Sequence, residues 1–165
     1  MTPSPQIIPL IQLDVPFRPV AYRKDGAYHI GYEHKGAQQG QTITQAQAEA
    51  LLMDDLNQVA EQLSEPFRQV PPIRTASLDT DMMRQFPQMI PTCNPQSMFD
   101  AVVALAFHIT PRALLRSTLW KALLDAADED TIRAEFERWV FEDGKPHPQH
   151  VARRQREANH FFSTP

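Results

Sequence analysis

The chain has 165 residues, with 16 Lys+Arg against 20 Asp+Glu and a formal net charge of −4. That length suits one domain with a real core, and the acid excess argues against nucleic-acid binding. A single cysteine, Cys93, excludes an internal disulfide or a cysteine-based zinc site.

With 15 Pro against five Gly, the chain is heavily punctuated. No apolar run reaches the roughly 18 residues of a membrane span. The N-terminus lacks a positive region, and Pro9 and Asp14 interrupt the apolar run that follows. No secretory signal is therefore expected.

In chain order, residues 7–13 form a short helix or an extended segment, ended by Pro16 and Pro19. Residues 20–32 place aromatic β-formers on both sides of Asp25-Gly26, the pattern of a small hairpin. Residues 35–41, with Gly36 and Gly40, read as a loop. Thr44 and Gln47 make a capping box. Behind it, Ala48, Leu52, Leu56, Val59 and Leu63 recur on one helical face.

Residues 65–91 hold Pro66, Pro71, Pro72, Pro87 and Pro91 and predict an elaborated loop with a short helix at 79–86. Asn94-Pro95 opens a helix that is apolar all round through Phe107, which predicts a buried central helix. Thr110-Pro111 starts a further amphipathic stretch reaching Leu124. Ile132, Phe136, Trp139 and Val140 mark another helix, and residues 151–162 the last. The fold class is α+β, a small N-terminal β-hairpin lobe packed on a mainly helical C-terminal lobe. The cleft between the lobes is the expected ligand site.

Several collinear pieces carry a family resemblance: Phe17-Arg18, Ala21-Tyr22, Ile30-Gly31-Tyr32-Glu33-His34 and Ile43-Thr44. Further on stand Phe99-Asp100-Ala101-Val102, Leu105-Ala106-Phe107-His108, Ser117-Thr118-Leu119, Glu135-Phe136-Glu137-Arg138-Trp139 and Arg153-Arg154-Gln155-Arg156-Glu157. In this order the sequence resembles the phage-type lysozymes, the T4-lysozyme-like endolysin family of muramidases. The resemblance spans residues 8–162 apart from the Pro-rich stretch. It implies a single lysozyme-like domain over 1–165, divided into a β lobe at 1–43, a connecting helix at 44–64, an insertion at 65–92 and a helical lobe at 93–165.

The resemblance also implies peptidoglycan in the cleft and an inverting glycosidase mechanism, with a Glu donating a proton and an Asp and Thr positioning water. Those residues are substituted here. The Glu position falls on Val15 and the Gly after it on Pro16; Asp14, one residue early, is the nearest acid, either a working acid or a solvated or capping Asp. The Asp position lands at Asp25, which an Asp-Gly turn explains equally well. The Thr position is His29, either a base beside a carboxylate or an ordinary cross-strand residue. Asp14, Asp25 and His29 are thus the catalytic candidates.

The Gly before His34 is Glu33, a relocated acid or a residue filling the cleft. Tyr32, Glu33, His34 and His108 are the substrate-binding candidates, with Asn94 and Gln96 beside them by analogy; His34 alternatively ties the hairpin to the helical lobe. Asp143, His147 and His150 have ligand types but no His-x-x-x-His spacing, so no metal is assigned and no cofactor is expected. His147-Pro148 more simply opens the last helix. Arg153, Arg154 and Arg156 read either as a face for an anionic partner or, more simply, as a solvated face paired with Glu157, and Trp120 and Trp139 as core.

Loss of three site residues together favours a lysozyme-like protein that binds peptidoglycan strands or a protein of a phage or secretion apparatus, without the standard chemistry. The alternative is an active muramidase with a rearranged site. Such a protein is made in the cytoplasm and acts in the periplasm or a phage or secretion particle once delivered.

Overall fold

The computed structural model describes residues 1–75, 85, 91–142 and 144–163. Helix α1 (Ile7–Gln12) buries Ile7 and Ile11. Strand β1 (Arg18–Lys24) turns at Asp25 and Gly26 into β2 (Ala27–Gly31), which pairs with the short β3 (His34–Lys35) in a three-stranded antiparallel sheet. Asp25 and Gly26 have φ of 50° and 79°. Two left-handed residues in a two-residue loop match the twist of the flanking strands, which is why Asp-Gly sits there. The β1–β2 register shifts between Arg18 and Tyr22, and the middle of β1 turns to the segment before α2, with Val20 bridging Thr42.

Helix α2 (Gln45–Phe67) starts at the expected reciprocal cap: the Gln47 backbone N–H donates to the Thr44 hydroxyl and the Thr44 N–H to the Gln47 side chain. Its buried face runs Ala48, Leu52, Leu56, Ala60, Leu63 and Phe67. Apart from Gln85, the short helix expected at 79–86 lies outside the described residues.

Helix α3 (Pro95–Ile109) opens with Pro95 behind the Asn94 cap, and every residue from Ser97 to Ala106 is buried. It packs against α1, α2 and the last helix, at the centre of the core. Its one buried charge, Asp100, accepts hydrogen bonds from the Ser4 backbone and from Gln96 at 2.9 Å each, tying the N-terminal segment to the helix.

The stretch expected to run from Thr110 to Leu124 is instead two helices, α4 (Pro111–Leu115) and α5 (Thr118–Leu124). Ser117 leaves helical geometry and its hydroxyl accepts from the Trp120 N–H, so a new N-cap breaks the run. After α6 (Glu129–Glu137), a single 3₁₀ turn (Arg138–Val140) bends at Trp139 into a small hairpin of β4 (Phe141–Glu142) and β5 (Lys145–Pro146) that the apolar periodicity did not reveal. Helix α7 (Pro148–Phe161) closes the described chain and packs along α3 and α6. The Arg run on it is not a solvated face. Arg154 is buried against the buried Glu157 at 2.8 Å, because the helix wedges between core elements. No helix is long and apolar enough to cross a membrane among the described residues.

Candidate functional site

The residues flanking α1 and the first hairpin frame the candidate cleft. The α1 exit folds back through the Asp14 and Val15 amides, both bonded to the Ile11 carbonyl at 3.0 Å. Val15 is buried, and with Pro16, Arg18, Tyr22, Lys24 and Glu33 it lines a pocket of about 290 Å³. A second pocket of about 470 Å³ lies along residues 16–22. The two share Pro16, Arg18 and Tyr22, and the Arg18 guanidinium lies 5.1 Å from the Tyr22 ring centroid.

Glu33 brings the negative charge to this pocket. It sits at φ 66°, left-handed backbone that favours glycine, and its carboxylate accepts from Lys24 Nζ at 2.6 Å. The hydrogen bond to Glu33 raises the Lys24 pKa, against the opposing effect of partial burial. Partial burial and then the Glu33 charge raise that of Tyr22, which stays a neutral phenol at neutral pH.

Asp14 does not line this pocket. Its side chain is only 6% exposed and faces α7, where Oδ1 accepts from Arg156 and Oδ2 lies 3.4 Å from Arg153 Nε. Asp25 occupies the exposed hairpin turn. His29 pairs with Tyr22 across the strands, rings 5.9 Å apart, and its Nδ1 lies 3.0 Å from the Glu33 carbonyl oxygen. Both contacts hold it to the hairpin.

The four expected substrate-binding residues are not gathered in one place. Tyr32 is buried: its ring packs on Phe17 at 5.8 Å, and its hydroxyl accepts from Gln12, which also donates to Glu49 of α2. His34 Nδ1 lies 2.9 Å from Asp55 Oδ2 on α2, so it ties the hairpin to that helix. Asn94 and Gln96 are a helix cap and a partner of Asp100. Only Glu33 reaches the pocket beside Val15.

His108 lines a separate pocket of about 260 Å³ with Ile109, Arg138, Trp139, Phe141, His150, Arg153 and Arg154. Its Nε2 is buried without a hydrogen-bond partner, and burial, with Arg153 and Arg154 nearby, pushes its pKa down to about 2. Burial, Arg153 and His147 also lower that of His150. Trp139 is a half-buried wall here, while Trp120 is core as expected. Arg153 stands between the two regions, since it lines this pocket and reaches Asp14 beside Val15.

Gly31 explains the spacing of the hairpin motif. It has φ +65°, and a Cβ there would meet Ala48 Cβ at 2.9 Å and Ile43 Cδ1 at 3.1 Å. The hairpin can dock on α2 only with no side chain at this position.

A family model described as Phage lysozyme matches residues 16–80 and 75–157. The chain belongs to the phage lysozyme family. An endolysin of Acyrthosiphon pisum secondary endosymbiont phage 1 is 34% identical over 143 residues, covering 84% of this chain and 82% of the endolysin. A variant of P22 lysozyme superposes with a TM-score of 0.72 at 25% identity over 99% of each chain. The muramidase domain of SpmX from Asticaccaulis excentricus gives a TM-score of 0.73 at 23% identity over 97% of each chain, a likeness in fold alone. Both confirm the lysozyme-like α+β architecture, a small N-terminal sheet with a mainly helical remainder.

The sequence reading missed Arg18, Tyr22 and Lys24 as pocket residues. An aromatic residue flanked by cations on a short Pro-flanked strand was the available signal, read only as hairpin propensity.

Proposed function

We propose that this phage-lysozyme family member binds peptidoglycan glycan strands along the β1 surface and has lost the standard muramidase chemistry. The observation that carries this reading is Asp14. It is the one acid beside the family's Glu position, and it is buried against two guanidinium groups and faces away from the pocket. A proton donor has to reach the glycosidic oxygen within hydrogen-bond distance. Val15, which does line the pocket, has no proton to give.

What the pocket offers suits binding. The Tyr22 ring lines it, and Arg18 and Lys24 offer donors to sugar hydroxyls or carboxylates. Peptidoglycan fits this set as a polyol strand carrying acidic groups. Co-sedimentation with purified sacculi tests it: the wild type partitions to the pellet, and Tyr22→Ala with Arg18→Ala releases it. Equal pelleting of wild type and double variant would contradict the assignment.

A second reading, an active muramidase, rests on Glu33, the carboxylate that does line the pocket. In that reading its pair with Lys24 opens when substrate binds, and Glu33→Gln abolishes release of soluble glycan.

A further inference from the structure

A second group of side chains converges where β4 and the start of α7 meet. Glu142 on β4, His147 at the start of α7 and His150 one turn into it each offer one ligand atom, all within 4.8 Å of one another. We propose that Glu142, His147 and His150 bind a divalent first-row transition metal ion, with Zn²⁺ as the reference ion.

Two imidazoles and a carboxylate form a ligand set that suits such ions, with three protein ligands and a fourth position left open. At metal–nitrogen distances of about 2.0–2.1 Å, tetrahedral ligand atoms stand roughly 3.3 Å apart. The closure needed from 4.8 Å is within reach of Glu142, whose side chain is 57% exposed on a short hairpin, and of His147, 40% exposed.

The backbone already holds two of the ligands in place. The His147 amide donates to the Val140 carbonyl at 2.8 Å, and the two imidazole centroids lie 4.8 Å apart. His147 makes no side-chain capping bond to its helix, and its Nδ1 is buried without a hydrogen-bond partner. Its Nε2 lies 3.8 Å from Glu142 Oε2, too long for a hydrogen bond. The His147 ring and the Glu142 carboxylate face one another without a hydrogen bond, and a shared cation would bridge them.

The neighbouring cations do not forbid it. Arg138 is paired with Glu135, Arg153 with Asp14, and Arg154 with Glu157. Lys145 stands across the hairpin from Glu142 and is the charge a metal would compete with. His150 lines the 260 Å³ pocket, so the open fourth position takes a water or an oxygen ligand at its rim. The site does not depend on whether the β1 surface binds glycan.

Calorimetric titration of the EDTA-treated 165-residue chain with ZnCl₂ tests the proposal, with Co²⁺ absorption as a second readout. One equivalent is expected to bind, and Zn²⁺ to raise the melting temperature. His147→Ala and His150→Ala are each expected to weaken binding by about tenfold or more, a typical loss around a metal site. Glu142→Gln on the exposed hairpin repeats the test without touching the helix. His34→Ala, which alters a separate histidine–carboxylate pair, is expected to leave binding unchanged. Failure to bind, or binding that follows His34→Ala and ignores the Glu142, His147 and His150 variants, would overturn the proposal.

Discussion

Replacing Asp14 with alanine separates a structural carboxylate from a cleft acid. The side chain is 6% exposed, beside Arg153 at 13% and Arg156 at 33%. Removing it leaves the largely buried Arg153 charge without its ion-pair partner. Breaking a buried pair in this way costs roughly 3–5 kcal/mol. The partial exposure of Arg156 places the expected loss near the lower end, about 3 kcal/mol. At roughly 2–4 °C per kcal/mol for a chain of this size, the melting temperature falls by about 6–12 °C.

Asp14→Asn keeps the volume and one acceptor for Arg156, so it loses less. Thermal and urea melts at neutral pH give both numbers. A cycle with Arg153→Met should show a coupling of roughly 1 kcal/mol or more. If Asp14→Ala melts within about 2 °C of wild type and the coupling vanishes, the buried pair is not formed in solution. The reason for setting Asp14 aside as a proton donor then fails with it.

Gly31→Ala combines a left-handed backbone with a close approach to Ala48 and should cost about 2–4 kcal/mol in urea melts. Gly26→Ala, which meets nothing within 4 Å, pays only for its φ; equal losses at the two positions would contradict the docking argument. Glu33→Gly relieves a left-handed non-glycine residue worth roughly 1 kcal/mol while losing a half-exposed pair with Lys24. Its net stability change should stay within about 1 kcal/mol, and a much larger loss would show that Glu33 holds the hairpin together. His108 has a folded pKa of about 2 against an ordinary value of 6.5, so the unfolded chain takes up a proton that the folded chain refuses. Its contribution is whole above pH 6.5 and shrinks as the pH falls, by about 2 kcal/mol at pH 5. Wild type should therefore lose roughly 4–8 °C more than His108→Gln between pH 7 and pH 5, and parallel losses would refute a buried neutral imidazole.

The parts of the fold legible in the sequence are those with a local cause. The Thr44–Gln47 cap, the Asn94-Pro95 start and the Asp25-Gly26 turn each satisfy backbone groups within four residues, so a short window contains the whole reason. The break at Ser117 also has a local cause, its capping hydroxyl, but the apolar pattern runs through it and shows no interruption.

Partnerships across the chain were not legible. Arg156 reaches Asp14 across 142 positions, and Tyr32 is drawn into the core by Gln12 and Phe17. The burial of Arg154 depends on where α7 lands. The candidate metal ligands show the same limit. His147 and His150 were recognised as ligand types, but their carboxylate partner is Glu142, placed by a hairpin with too few residues to show a period; Asp143 lies outside the described residues.

The proposed function has the pocket beside Val15 bind peptidoglycan without an acid to cleave it. It is tested most directly by incubating the purified protein with sacculi and analysing the supernatant by mass spectrometry for fragments with new reducing ends. The account predicts protein in the pellet and no such fragments above a no-enzyme control. Reducing-end fragments that disappear with Glu33→Gln or Asp14→Asn would contradict it and assign the lost role to that residue.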